Sequence, residues 1–125
     1  MLSSALLCLA LNSYHESRSE PFQGQVAVAQ VVLRRAKFDA TRVCATVYRP
    51  HQFSWTAAKP PVEDRAAWRE AVAAAKVAML WAHGVGADHS RGATHYHTKF
   101  ICPRWSADMR MMVRIGDHEF YRKER

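Results

Sequence analysis

A carboxyl group stands at the end of the first apolar segment of the chain. Counting back from Glu16 in steps of three or four residues reaches Asn12, Leu9 and Leu6, so the carboxyl group continues the face that a helix must bury. Partial burial and the negative end of the helix dipole both raise the pKa of such a group. Such a shift would suit Glu16 to donate a proton as a general acid, although the spacing alone does not establish that role. The competing interpretation is that Glu16 only ends the helix and pairs with Arg18, as charged residues near helix ends usually do.

Histidines form the second group of residues that could do chemistry. His83, His89, His95 and His97 lie near one another in the chain, and Cys102 follows them. Structural zinc sites usually show compact paired spacings such as Cys-x2-Cys or His-x3-His, and this segment has none. The chain is therefore expected to bind no metal and to need no cofactor. Loss of function with a chelator would support the zinc alternative.

The elements that must position these residues are mainly helical. Apolar periodicity and capping residues predict a first helix from Ser3 or Ser4 to about Ser17, and further helices over 24–36, 41–48 and 62–81. Short β-branched or aromatic segments near 93–97, 112–115 and 119–121 predict a small antiparallel sheet. The expected fold is α+β, with a helical body followed by a sheet in the C-terminal region, in one domain over residues 1–125.

The charge of the chain favours polyanionic partners. The sequence has 18 Lys and Arg against 11 Asp and Glu, a formal charge of +7, and 49% hydrophobic residues, enough for one core. Arg34, Arg35, Lys37 and Arg42 lie close together and could contact nucleic-acid phosphates. No nucleic-acid-binding motif accompanies them, and the charge alone does not choose among nucleic acid, an anionic membrane surface and an acidic cell-wall polymer. A non-catalytic module that binds the cell wall is a further alternative.

Cysteine usage and the N-terminal region bear on the compartment. Cys8, Cys44 and Cys102 are an odd number at wide spacings, which disfavours a disulfide framework and favours a reducing place of synthesis. One disulfide with a spare thiol is the open alternative. The apolar run 5–11 lacks a preceding basic segment and a clear cleavage site, and it is too short to span a bilayer. Synthesis in the cytoplasm without an export signal is therefore expected.

Several short motifs follow one another along the chain: His15-Glu-Ser-Arg-Ser-Glu-Pro21, Gln52-Phe-Ser-Trp55, Gly92-Ala-Thr-His-Tyr96, Trp105 and Ile115-Gly-Asp-His-Glu-Phe120. In this order they resemble the SleB/CwlJ-like cell-wall hydrolase family of spore-cortex-lytic enzymes and their relatives in bacteria and phages. The resemblance spans nearly the whole chain and implies a lysozyme-like helical body.

The resemblance also implies a catalytic role for Glu16, which occupies the place of the family's catalytic acid. The implied activity is cleavage of the β-1,4 bond between N-acetylmuramic acid and N-acetylglucosamine in peptidoglycan, commonly by lytic transglycosylation. The chain departs from the family pattern at His15 and Ser19, where glycine is usual, and at Ser17, where alanine is usual. If the bond is hydrolysed instead, as in a muramidase, Glu20 is the expected second carboxylate, although its position before Pro21 is equally consistent with a structural role.

The substrate groove is expected to combine flat aromatic faces with amide or hydroxyl donors. Phe53, Trp55 and Trp105 could also be core aromatics, and His118 is expected to be a hydrogen-bonding scaffold residue. The predicted substrate-binding residues are Glu20, Gln25, Gln52, Phe53, Trp55, Thr94, His95, Tyr96 and Trp105.

The biological setting follows from the same interpretation. A peptidoglycan-cleaving enzyme without an export signal would act on the wall as a phage or prophage lysis protein, and it would reach the wall through a holin or on lysis. A virion-borne wall-piercing enzyme is the alternative setting. Given the resemblance, the positive charge is explained by attraction to anionic envelope polymers. The expected partner is the peptidoglycan glycan strand, no nucleic-acid partner is expected, and the protein is expected to be a monomer.

Overall fold

The computed structural model describes residues 2–50 and 52–123, and its first part is helical. Two 14-residue helices, α1 (Ser4–Ser17) and α2 (Phe22–Arg35), are followed by a 3-10 turn (Ala40–Arg42) and two short helices, α3 (Val43–Val47) and α4 (Trp55–Ala58). The longest helix is α5 (Arg65–Ala82). A second 3-10 turn (Arg104–Asp108) lies between strands β1 (His95–Thr98) and β2 (Met109–Ile115), and β3 (His118–Lys123) follows β2.

Local capping residues set the ends of the helices. The Ser3 hydroxyl accepts a hydrogen bond from the backbone N–H of Leu6 at 3.3 Å, so α1 begins where the sequence predicts. The Asp64 carboxylate does the same for the N–H of Ala67 at 3.0 Å. Because Asp64 caps the helix, α5 starts at Arg65, three residues later than predicted.

The core forms around α2, which packs against both α1 and α5, and these two helices also pack against each other. Every residue from Gly24 to Leu33 is buried, as expected for a helix that has neighbours on all sides. Both ends of the buried Gln30 amide are hydrogen-bonded: its Nε2 donates to the carbonyl of Ala87 at 3.0 Å, and its Oε1 accepts from the N–H of His89 at 2.9 Å. This pairing attaches the loop after α5 to the central helix.

The three strands form one antiparallel sheet in the order β1-β3-β2. Tyr96 is paired with Phe120, and Ile115 is paired with His118 across the turn between β2 and β3. Strands β2 and β3 extend beyond the segments predicted for them, and β1 begins two residues later than predicted and ends one residue later. The three segments and their antiparallel pairing agree with the prediction, which did not specify the order of the strands in the sheet. The predicted α+β fold, a helical body followed by a small C-terminal sheet, is confirmed.

The cysteines correct one sequence-based expectation. Cys8 on α1 and Cys44 on α3 form a disulfide, with their Cα atoms 5.3 Å apart, whereas the odd count of cysteines favoured a chain with no disulfide. The two residues are separated by 36 positions, so only the packing of α3 against α1 brings their side chains together. Cys102 is a free, exposed thiol.

Within residues 2–50 and 52–123, none of the helices combines the length and apolar character needed to cross a bilayer.

Candidate active site

The side chain of Glu16 lies in a recess between the last turn of α1 and the sheet. The recess has a volume of about 290 Å³, and it is formed by residues that are far apart in the chain. Of the predicted site residues, it brings together Glu16, Gln52, Phe53, His95, Tyr96 and Trp105, and it adds Arg35. Helix α1, helix α2, the segment before α4 and strand β1 all contribute to its wall.

Among the residues that the structure describes, one donates a hydrogen bond directly to the carboxyl group of Glu16 in the recess. The Tyr96 hydroxyl donates to Glu16 Oε1 at 2.8 Å. Burial raises the pKa of the Glu16 carboxyl group, and this effect outweighs the Tyr96 hydrogen bond and the charge of His118, which lower it. Burial and the adjacent Glu16 raise the pKa of Tyr96 well above its ordinary value, so Tyr96 stays protonated. The arrangement holds an acid that can keep a proton to donate.

A chain of hydrogen bonds behind Tyr96 fixes the position of its hydroxyl. The indole Nε1 of Trp55 donates to Asn12 Oδ1 at 2.8 Å, and Asn12 Nδ2 donates to the Tyr96 hydroxyl at 3.4 Å. Asn12 has no exposed surface, and Trp55 is only 8% exposed. The predicted groove residue Trp55 therefore lies in the core, behind Asn12, and positions the hydroxyl that contacts Glu16.

Aromatic rings form the walls of the recess. The ring of Phe53 stacks on that of Tyr96, with centroids 6.1 Å apart and an angle of 19° between the planes. Trp105 packs against His95, with centroids 5.1 Å apart. Burial, followed by the charges of Arg35 and Lys123, lowers the pKa of His95. His95 is therefore neutral at pH 7, and its Nδ1 lies 2.9 Å from the hydroxyl of Thr94.

Arg35 is a recess residue that was not among the predicted site residues. Its guanidinium donates to Gln52 Oε1 at 2.6 Å and to the carbonyl of Thr94 at 3.4 Å. The signal in the sequence was its position on the same helical face as Val28, Val31 and Val32, because an arginine that is buried with an apolar face is almost always paired with polar groups. Gln52 lies in the recess, as predicted, and Arg35 orients its amide.

Four of the predicted residues lie outside the lining of this recess. Trp55 is in the core. Thr94 lies beside the recess and is hydrogen-bonded to two residues that line it, His95 and Arg35. Glu20 and Gln25 line a separate recess of about 410 Å³ beside the start of α5.

Glu20 and Gln25 both make intramolecular contacts. One carboxylate oxygen of Glu20 accepts from the backbone N–H of Asp117 at 2.7 Å and lies 3.3 Å from Nδ1 of the buried His118. Glu20 therefore caps the turn between β2 and β3. The amide of Gln25 donates to Glu70 Oε1 at 2.6 Å.

Across the described part of the chain, no group of three or more His, Cys, Asp or Glu side chains is arranged to hold a metal ion.

The sequence and the fold of this chain are similar to those of known cell-wall-degrading proteins. The model of the cell wall hydrolase family matches residues 19–121. The catalytic domain of the Bacillus cereus SleB protein is similar over 98% of this chain and 93% of its own, with 26% identity and a TM-score of 0.68. The catalytic domain of the germination-specific lytic transglycosylase SleB from Bacillus anthracis is similar over 97% of both chains, with 26% identity and a TM-score of 0.69. The comparison with curated proteins gives no significant match.

The fold and the comparisons together define a peptidoglycan-degrading enzyme. The chain belongs to the cell wall hydrolase family, and the SleB/CwlJ-like resemblance inferred from the sequence is confirmed. The residues matched by the family model begin three positions after Glu16, so the assignment of Glu16 depends on the geometry of the recess.

Proposed function

We propose that residues 1–125 are one catalytic domain that cleaves the β-1,4 bond between N-acetylmuramic acid and N-acetylglucosamine as a lytic transglycosylase, with Glu16 as the acid and base. The observation that carries the proposal is that Glu16 is the only carboxylate lining the recess within the described part of the chain. Glycosidases that use water commonly place two carboxylates across the scissile bond. The similarity to the Bacillus anthracis lytic transglycosylase supports the same reaction.

The mechanism assigns both proton transfers to Glu16. The protonated carboxyl group gives its proton to the glycosidic oxygen, the bond from that oxygen to C1 of the muramic acid breaks, and N-acetylglucosamine leaves with a free hydroxyl. The muramic ring passes through an oxocarbenium-like state. Its own C6 hydroxyl then bonds to C1, and the Glu16 carboxylate takes the proton from that hydroxyl. The product is a 1,6-anhydro end, and no water is consumed.

The other recess residues hold the acid and the sugars. Tyr96 keeps the Glu16 carboxyl group in position and stabilises its anion after the first proton transfer. Trp105 presents an aromatic face, and His95 and Gln52 present polar groups, to the sugar rings. Phe53 is only 7% exposed and supports the ring of Tyr96. The raised pKa of Glu16 supplies the protonated form at the start of the cycle.

The hydrolytic alternative needs a second carboxylate near the scissile bond, and Glu20 was the expected candidate. Its carboxylate accepts a hydrogen bond from the backbone of Asp117, and it lines a different recess from Glu16. This placement favours the mechanism with a single acid. The roles in phage lysis and the dependence on a holin stay predictions from the sequence.

Digestion of purified sacculi tests the proposal. Wild-type protein should release muropeptides whose ends are one water lighter than hydrolytic ends, as read by mass spectrometry. The Glu16→Gln variant should fold and release none, because an amide cannot deliver the proton. Glu63→Gln is the matched control, since Glu63 is exposed and lies outside the recess. Products with ordinary reducing ends would reject transglycosylation. Retained binding to sacculi with no release by the wild type would instead indicate a non-catalytic wall-binding module.

A further inference from the structure

A second recess adjoins the one that holds Glu16. Its volume is about 260 Å³, and it lies between the end of α2 and the region of α3. Arg35 and Gln52 line both recesses, so they form the boundary between them. The residues that line the second recess are Arg35, Arg42, Ala45, Thr46, Arg49 and Gln52.

Three guanidinium groups in this recess have little compensating negative charge. Of these three arginines, Arg42 alone pairs with a carboxylate of the described residues, that of Asp39 at 3.5 Å, and both side chains of this pair are well exposed. Arg35 donates to neutral oxygens of Gln52 and Thr94. Burial is the largest cause that lowers the pKa of Arg35, and the nearby charge of Arg49 also lowers it. The recess is therefore a positively charged pocket with unused donors.

We infer that this recess, defined here as the arginine subsite, binds a carboxylate on the lactyl side of the muramic acid. In peptidoglycan with intact stems, this carboxylate belongs to the peptide stem. The inference rests on the proposed function, which places a muramic acid ring against Glu16. The peptide stem is attached to that same sugar, so its first carboxylates lie within a few residues' length of the scissile bond. Guanidinium groups match carboxylates geometrically and can bind them through two parallel hydrogen bonds.

Gln52 connects the two recesses. Its Oε1 accepts from Arg35, which leaves its amide N–H groups for a neutral acceptor such as a sugar hydroxyl or an acetamido carbonyl. A muramic acid at the boundary would place its ring on the side of Glu16 and its stem on the side of Arg42 and Arg49. The subsite would thereby select the peptide-bearing sugar and orient it for cleavage.

Three glycan substrates distinguish the source of the carboxylate. The first is a soluble strand with intact peptide stems. The second is the same strand after its carboxylates are converted to amides with a carbodiimide and ammonia. The third is a strand freed of stems by an amidase, which leaves the lactyl carboxylate on the muramic acid. Wild-type protein should cleave the first substrate with a KM about tenfold lower than the second, since a charge-assisted hydrogen bond contributes about this factor.

The test variant is the double substitution Arg42→Gln/Arg49→Gln, which leaves Arg35 and the Glu16 recess intact. It should raise KM about tenfold on the carboxylate-bearing strand with little change in kcat, and have no effect on the amidated strand. Arg69→Gln is the matched control, because Arg69 is exposed on α5 and lines neither recess. If the stem-free strand shows the same tenfold effect, the lactyl carboxylate is a ligand of the subsite. If it shows none, the stem supplies the carboxylate.

The inference is overturned if the double variant behaves like Arg69→Gln on all strands, or if it loses the same factor on the amidated strand. Binding measured with the inactive Glu16→Gln variant tests the arginine subsite independently of the proposed reaction. With Arg42 and Arg49 intact, this variant should bind the carboxylate-bearing strand about tenfold more tightly than the amidated strand. A preference of this size in a protein whose wild type cleaves nothing would reject the reaction and retain the subsite.

Discussion

The hydrogen bond from Tyr96 to Glu16 makes the pH dependence of cleavage predictable. Tyr96→Phe removes the hydroxyl that donates to Glu16 Oε1 at 2.8 Å but keeps the ring that stacks on Phe53. Because this hydrogen bond lowers the pKa of Glu16 while burial raises it, its removal leaves burial less opposed. The pKa of Glu16 should therefore rise further, and the carboxyl group should stay protonated to higher pH.

The size of the effect follows from the strength of the bond. A hydrogen bond to a charged group contributes about 1.5–3 kcal/mol, and one pH unit corresponds to about 1.4 kcal/mol. Water that enters the space of the lost hydroxyl recovers part of this energy, so the lower end of the range applies. The alkaline limb of the profile of kcat/KM against pH should move up by about one unit, because the protonated carboxyl group is the active form.

The assay is the rate of muropeptide release from sacculi, measured across pH for the wild type and for Tyr96→Phe. Tyr121→Phe is the control, because the Tyr121 hydroxyl also donates to a glutamate, Glu119 at 3.1 Å, but lies outside the Glu16 recess. The control should leave the alkaline limb where it is in the wild type. A limb that stays fixed or moves down in Tyr96→Phe would refute the assignment of Glu16 as the acid that limits activity at high pH.

Four further perturbations test other parts of the structure. Glu16→Gln should raise the melting temperature at pH 7 but not at low pH. Because the pKa of Glu16 is raised in the folded state, the wild type loses stability as the pH rises from the ordinary pKa of glutamate through the pKa of Glu16 in the folded state. Reduction of the Cys8–Cys44 disulfide, which spans 36 positions, should lower the free energy of unfolding in urea by about 3–4 kcal/mol. Ser19→Gly should raise that free energy by about 1 kcal/mol with activity retained, because Ser19 is exposed and has a positive φ of 154°. Gly116→Ala should lower it by about 2 kcal/mol, because the added Cβ would lie 2.5 Å from a glutamate oxygen at a φ of 57°. The opposite sign of change in any of the four would contradict the corresponding argument.

Much of the fold could be predicted because its signals are local. Apolar periodicity and a serine cap define α1 within one or two turns of sequence, and both agree with the structure. The short β-branched and aromatic segments likewise indicated the three strands. The burial of Glu16 could be anticipated for the same reason, since a helix has a fixed period and the residue continues its apolar face.

Contacts between distant residues could not be predicted in this way. Glu16 and Tyr96 are 80 positions apart, and nothing in either neighbourhood specifies that their side chains meet. Glu20, one turn along the chain from Glu16, instead faces the turn between β2 and β3 and accepts from the backbone of Asp117. Proximity in the sequence therefore suggested a second catalytic carboxylate, and the tertiary structure places it in another recess.

The sequence by itself determined the helical body, the small sheet, the family and the acid on the buried face of α1, because each depends on spacing within a few residues or on a family pattern. Only the tertiary structure decided the Cys8–Cys44 pair, the donor to Glu16 and the entry of Arg35 into the recess. These depend on how α1, α2, α3 and β1 pack, and packing is a property of whole surfaces that no single segment encodes.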